Sequence, residues 1–523
     1  MTVDDPGAPL AELLAATGAV GPRASHIVTH GAVIVLDDDR AWKLKRPVAY
    51  RYLDFSTADL RRRALRSELE LNRRTAPQLY LRVHAITRTD DGVELDGDGD
   101  VVDWVLEMKR FPDGALLADR AEAGELDDRL LAALADQAVA LHTDAEISTD
   151  PAGADRILDV VVGNRESMAR FGEVLDPVRA DELTERQRGL IAAHAELLDR
   201  RAARGRVRHG HGDLHLANIA LLDAAPGAGE RSDSGPVPVP FDCLEFDPEL
   251  ATSDVLYDLA FLLMDLWARG LRHEANVVAN AYLDSSPDDE DGFGLLPLLI
   301  SVRATVRAHV LAAAEDVDES RSYLDLALAV LEPATVRLLA IGGSSGTGKS
   351  TIARAVGGDV GAAPGARILR SDVLRKRLAG VGVFDRLPES GYTSEMGARV
   401  FGELERLAAI DLDGRMCVIA DAVWGTPARR DGIERVARDA GARFTGVWLE
   451  LDEATRIARI EGRGPDASDA TADVARSQTA NVVPPEQPWH RIPADDSALA
   501  AVRALHTAPD YIGGFRRWPR RGG

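Results

Sequence analysis

Lysine is scarce in this 523-residue chain. Of 62 basic residues only Lys43, Lys45, Lys109, Lys349 and Lys376 are lysines; the others are arginines. Arginine offers a planar fork and lysine a compact point charge, so each lysine here points to a position that wants a small ammonium. Cysteine is scarcer still. Cys243 and Cys417 cannot build a disulfide framework or a Cys-rich metal site, and the expectation is a cytoplasmic protein with reduced thiols. No run reaches the ~18 consecutive apolar residues of a membrane-spanning helix. The opening MTVDDPGAPLAELLAA is acidic where a signal peptide would be basic. With a net charge of −23 the surface repels nucleic acid, so a phosphorylated partner must be small and enter a locally basic pocket. The one basic cluster at an end, within 511–523, reads as a solvated tail.

The length exceeds the ~250–300 residues at which single cores stop growing, so two or three domains are expected. Residues 26–36 and 40–45 read as strands joined by an acidic turn, 57–74 as a helix, 101–108 as a strand and 127–142 as a helix. That is the order of a small nucleotide-clasping lobe, about 1–110, followed by a helical lobe, about 111–332. Residues 224–238 form a Gly/Pro/Ser-rich insertion. Residues 254–331 are helical in pattern, and Glu332-Pro333 marks the expected boundary of a second domain, 333–510. There strands at 336–341, 366–370, 416–420 and 444–449 alternate with helices, the pattern of a parallel α/β sheet.

Gly343-Ser344-Ser345-Gly346-Thr347-Gly348-Lys349-Ser350-Thr351 fits G-x-x-x-x-G-K-[ST] between a strand and a helix. Its glycines let backbone N–H groups face phosphate oxygens. Lys349 can reach the β/γ-phosphates and Ser350 can ligate Mg²⁺. Asp372 follows the strand 366–370, where ligands sit in open α/β sheets. It can accept a proton from a substrate hydroxyl, or cap the next helix; Arg375 is then near substrate or phosphate. Asp421, at the end of another strand, is a Mg²⁺ or capping candidate. Arg456, Arg459 and Arg463 precede a Gly/Pro hinge and suit a phosphate-stabilising lid, or a solvated helix face. The region 336–480 resembles the small P-loop kinases of the zeta-toxin, gluconate-kinase and polynucleotide-kinase group, which implies phosphorylation of a hydroxyl.

In the first half, His211-Gly212-Asp213-Leu214-His215-Leu216-Ala217-Asn218 has the Asp-to-Asn spacing of a kinase catalytic loop: Asp213 as base, Asn218 on metal. Asp242, ending an apolar run, suits the second metal-ligand role. A zinc site from His209, His211 and His215 is the alternative, though no fourth ligand is apparent. The loop resembles the aminoglycoside phosphotransferase and choline-kinase superfamily, and Asp254 and Asp258 recur in that order, Asp258 as a structural residue. Upstream, Lys43 and Lys45 share a strand face, and either can clasp phosphate. Glu68 is the expected partner, with Glu70 as fallback, and Glu107-Met108 the expected adenine hinge. A glycine-rich flap is missing; only Thr29-His30-Gly31 stands at that turn.

The whole chain resembles bacterial fusions of an aminoglycoside phosphotransferase-like domain with a P-loop kinase domain. These features imply two ATP- and Mg²⁺-dependent phosphotransferase sites acting on hydroxyls of small molecules, without nucleic-acid or membrane partners. The rival expectations are one catalytic half with a nucleotide-sensing half, or a stress-related kinase acting on a sugar nucleotide or a protein.

Overall fold

The computed structural model describes residues 7–505 apart from 30, 51–52, 224–234, 246–247, 463, 465 and 487. The heart of the Gly/Pro/Ser-rich insertion, Arg463 and the basic tail lie outside the described residues. The chain divides into two compact units, residues 1–153 with 201–259, and residues 154–200 with 260–523. The described helices after residue 260 fall in the same unit as the P-loop sheet, and helix Arg272–Ser285 packs against that sheet; the sequence pattern places them in the expected domain 1–332.

In the first unit the described residues form a six-stranded antiparallel sheet. Its order is Ser25–Val28, Ala32–Leu36, Arg40–Lys45, Asp100–Lys109, Tyr80–Thr89, Gly92–Leu95. The stretch expected as one strand over 26–36 is thus two, turned where Thr29 N–H donates to the Ala32 carbonyl at 2.8 Å. Strand Arg40–Lys45 alternates: Trp42 and Leu44 join a core with Leu14, Val33 and Val35, which leaves Lys43 and Lys45 to the other face. Helix Ala58–Asn72 starts at Thr57, whose hydroxyl accepts Leu60 N–H at 3.3 Å. Its buried positions Arg61, Ala64, Leu65, Glu68 and Asn72 follow helical spacing along one stripe. The stripe carries Glu68 inward because Leu65 and Ala64 anchor the same face.

In the second unit five parallel strands run in the order Arg367–Arg370, Val418–Asp421, Arg337–Gly342, Arg443–Glu450, His490–Pro493. The last was not anticipated from sequence. The central strand is buried at every position, as a sheet covered on both faces requires. Leu338 and Ala340 enter one cluster with Leu404 and Trp424; Leu339 and Ile341 enter the other with Val356 and Val447. The stretch Pro287–Ala313 is long and apolar enough to cross a membrane, but 67% of its most apolar window is buried in the protein.

The outer strand Arg367–Arg370 has an open side, and helix Arg272–Ser285 covers it with two asparagines. Asn280 accepts Ile368 N–H at 2.7 Å and donates to the Ala366 carbonyl at 3.1 Å. Asn276 donates to the Ala366 and Pro364 carbonyls at 2.8 and 3.1 Å. Two side-chain amides thereby stand in for a neighbouring strand, so backbone groups of this edge are satisfied. Arg367, fully buried, pairs with Glu290 at 2.6 Å and Asp284 at 2.8 Å. Asp411 is buried nearby with neither carboxylate oxygen hydrogen-bonded. Burial, and then Glu290, push its carboxyl well above the usual range, which favours its protonated form in the fold. The unfolded chain then binds fewer protons than the folded one. Stability should fall as pH rises from the ordinary carboxylate range through the raised one. Unfolding midpoints of Asp411→Asn should lack that decline; the same slope in the variant would remove Asp411 as its source.

Candidate active sites

In the first unit a chain of ion pairs joins the strand Arg40–Lys45, the helix Ala58–Asn72 and the segment 242–245. Lys43 Nζ lies 2.7 Å from Glu68 Oε1 and 2.6 Å from Asp242 Oδ1. Lys45 Nζ lies 2.7 Å from Glu68 Oε2 and also bonds Glu245. Burial alone would lower the pKa of Lys43, but Asp242, Glu68 and Glu245 together hold it well above the ordinary value, so it remains a cation. Asn72, one turn beyond Glu68, donates to the Glu68 carbonyl at 2.8 Å and accepts Cys243 N–H at 2.9 Å. The helix is thereby fastened to the segment that bears Asp242. Asp242 takes a left-handed φ of 61°, a conformation a non-glycine residue keeps only where its surroundings impose it; its N–H donates to Tyr80 Oη at 3.1 Å.

The Asp213 loop is held from beneath. Asp258 accepts His211 N–H and Gly212 N–H, each at 2.8 Å, and contacts His142 Nε2 at 3.2 Å. His211 donates through Nε2 to the Phe241 carbonyl at 3.0 Å, tying this loop to the Asp242 segment. Asn218 Nδ2 donates to Asp213 Oδ2 at 2.9 Å and to its carbonyl at 3.0 Å. Asp213, Asn218 and Asp242 thus converge. Among the described residues no group of three or more His, Cys, Asp or Glu could hold a metal, so His209, His211 and His215 form no zinc site there.

In the second unit a cavity of about 690 Å³ is lined by Ser345–Ile352, Arg370, Asp372, Arg375, Asp421, Arg459 and others. Lys349 opens helix Lys349–Gly357, and its ammonium donates to the Ser344 carbonyl at 3.1 Å. Burial lowers its pKa from the ordinary value. Ser350 Oγ donates to Asp421 Oδ2 at 2.5 Å, and Arg370 Nη2 lies 3.2 Å from that hydroxyl and 3.3 Å from Asp466. Asp372 is in the first turn of helix Ser371–Leu378. Its carboxyl is raised above the usual range, chiefly by burial, while a hydrogen bond from Ser468 and the Lys349 charge oppose this and Asp421 adds to it. Gln478, from helix Ala472–Asn481, accepts Ser345 N–H at 2.6 Å and donates to Ser345 Oγ at 3.1 Å.

A family model described as an AAA domain matches residues 338–485. Over 466 residues the chain is 31% identical to the uncharacterized protein Rv2004c of Mycobacterium tuberculosis, spanning 86% of this chain and 89% of that protein. The chain belongs to that protein's family. Among solved structures, a gluconokinase from Sinorhizobium meliloti 1021 is similar at 18% identity and a TM-score of 0.25, covering 34% of this chain and 94% of its own. The GDP complex of aminoglycoside 2'-phosphotransferase-IIIa is similar at 14% identity and a TM-score of 0.37, covering 62% and 97%. The matched AAA-domain region contains the Gly343–Thr351 loop.

Most residues singled out from sequence fall into these two clusters. Glu68, not Glu70, meets the strand lysines. Glu107 and Met108 lie inside a strand flanked on both sides, and the Glu107 carboxylate is committed to Arg40 and His84, each at 3.0 Å. Arg456 is buried and bonds the Ser345 and Ala475 carbonyls and Thr479, so it props the loop from behind. Arg459 instead reaches the cavity, 3.8 Å from where a Cβ on Gly348 would lie, and donates to the Ala494 carbonyl at 3.2 Å. Sequence reading missed Arg370 and Gln478; neither stands in a motif. The loop glycines differ in what they tolerate. Both Gly346 and Gly348 have positive φ, 86° and 88°, but a Cβ on Gly346 would lie 2.6 Å from the Arg456 carbonyl. Gly348→Ala should cost only the left-handed strain, about 1–2 kcal/mol, while Gly346→Ala should also displace the loop. Thermal unfolding and ATP titration of both variants test this; equal effects would contradict the geometry.

Proposed function

We propose that the chain is a phosphotransferase with two sites, each transferring the ATP γ-phosphate to a hydroxyl of a small molecule. What carries the reading is that each unit gathers a candidate base, a lysine and metal-binding oxygens around one point. In the first unit these are Asp213, Lys43, Asn218 and Asp242. Lys43 is the phosphate-clasping lysine because it reaches Asp242, whereas Lys45 bonds Glu68 and Glu245 and supports it. In the second they are Asp372, Lys349, Ser350 and Asp421, with Arg459 over the loop. Mg²⁺ fits both oxygen sets, since it takes one or two protein oxygens and completes its shell with phosphate and water; when bound it neutralises phosphate charge. The step is the same in each. The acceptor oxygen forms a bond to the γ-phosphorus, the bond from that phosphorus to the β–γ bridging oxygen breaks, ADP leaves, and the acceptor proton passes to the aspartate.

The full-length protein is the right object for the tests, because Arg367 of the P-loop sheet depends on Asp284 and Glu290 before residue 333. Two ATP equivalents should bind per chain by calorimetric titration; one equivalent would end the two-site reading. Asp213→Asn should reduce transfer at the first site by about 10²–10⁴-fold while both ATP equivalents still bind. Lys349→Ala should remove one ATP equivalent and the second activity, leaving the first; an unchanged stoichiometry would refute the loop assignment. At the second site the base works only when ionised. Because Asp372 is raised above the ordinary carboxylate range, the acid limb of the rate should also lie above that range, with the rate rising with pH through it. A limb at the ordinary carboxylate position would argue against Asp372.

A further inference from the structure

Arg370 closes the outer strand of the parallel sheet, Asp421 closes the strand beside it, and the two are register partners. Side chains at paired positions of neighbouring strands stand on the same face, and both enter the second cavity beside Ser350. There Arg370 Nη2 donates to Ser350 Oγ at 3.2 Å, while that hydroxyl gives its own proton to Asp421 Oδ2. Arg370 Nε stands 3.5 Å from the same Asp421 oxygen and is buried without a hydrogen-bond acceptor. The two side chains assigned to Mg²⁺ thus face a cation that belongs to the chain itself.

Mg²⁺ sits about 2.1 Å from each oxygen it binds, and it needs the Ser350 lone pair that accepts the Arg370 N–H. A dication and a guanidinium cannot share that oxygen, because a bound metal is the largest local charge in its site and like charges so close repel. Arg370 has a second station. Its Nη2 already lies 3.3 and 3.4 Å from the two carboxylate oxygens of Asp466. Asp466 accepts Ser468 N–H at 2.9 Å, and Ser468 hydrogen-bonds the candidate base Asp372. Burial alone would lower the pKa of Arg370; Asp421, Asp466 and Asp372 together raise it, so the guanidinium is charged at either station.

We propose that Arg370 is a positioning residue that keeps the place of the metal: it neutralises Asp421 before the ion arrives, then yields Ser350 to it by passing wholly to Asp466. The loop thereby keeps its acids paired at every stage, and metal entry is felt by segment 466–468, which touches the base. This rests on Ser350 and Asp421 being the metal oxygens of the P-loop half.

The test counts Mn²⁺, a paramagnetic substitute for Mg²⁺ at oxygen sites, on the full chain in the presence of ADP. Two equivalents should bind. Asp242→Asn should remove the one in the first half, and the other is followed in that background. Arg370→Gln should tighten it about tenfold, as expected when a nearby like charge is removed, and Arg370→Lys should keep the parent affinity. Without metal, Arg370→Gln should also lower the unfolding midpoint, and saturating Mn²⁺ should narrow the gap, because the tighter site gains more from the ion. A merely structural arginine would leave the same gap with and without metal. Asp466→Asn should weaken Mn²⁺ binding when Arg370 is present and have no effect beside Arg370→Gln. Mn²⁺ affinity in Arg370→Gln equal to or below that of the parent overturns the proposal, as does an Asp466→Asn effect that persists in the double variant. Should Arg370→Gln fail to fold, an unchanged affinity in Asp466→Asn overturns it. If Ser350→Ala and Asp421→Asn leave the remaining equivalent bound as before, what fails instead is the metal assignment itself.

Discussion

The guanidinium of Arg367, buried on the outer strand of the parallel sheet, carries more of this structure than any motif does. Its partners, Glu290, Asp284 and Asn280, all come from the helical segment that precedes the P-loop domain. A buried ion pair contributes little over a well-packed apolar pair, but loss of one partner leaves an uncompensated charge and typically costs about 3–5 kcal/mol. The strand that Arg367 begins continues to Arg370, which steadies Ser350 and Asp466, and then to Asp372. The position of the candidate base is therefore set through a contact far from the phosphate loop.

In both clusters the central groups are paired with one another. Lys43 rests on Asp242, Asn218 on Asp213, Lys349 on the Ser344 carbonyl and Ser350 on Asp421. Under the proposed function each contact is exchanged for one to nucleotide, metal or acceptor. The gain on binding is thus a difference between two sets of charge-assisted bonds, which suits sites that must release product as well as hold substrate.

What the sequence made legible was short-range. The phosphate loop and the His211–Asn218 segment each fit within nine residues, so composition and order reveal them. The alternation of strand 40–45 put both lysines on one face, but only the fold distinguishes them, because Asp242 and Glu245 lie some two hundred residues further on. Arg370, Gln478 and the asparagine pair Asn276 and Asn280 were invisible for the same reason: each acts on backbone or side chains remote in sequence, and none has a local signature. The grouping of helices lies beyond the reach of the sequence likewise. Helical periodicity states which face is apolar and says nothing of which sheet it will meet.

The lysines noted at the outset have one more consequence. Lys43, Lys45 and Lys376 are buried, Lys349 is half-buried in its cavity, and only Lys109 is exposed. Any chemistry that addresses side-chain amines, whether a fluorescent ester, a crosslinker or an isopeptide-linked tag, therefore meets a single open address on the folded surface. That address lies at the end of strand Asp100–Lys109 in the first unit, far along the chain from the half-buried Lys349 of the phosphate loop.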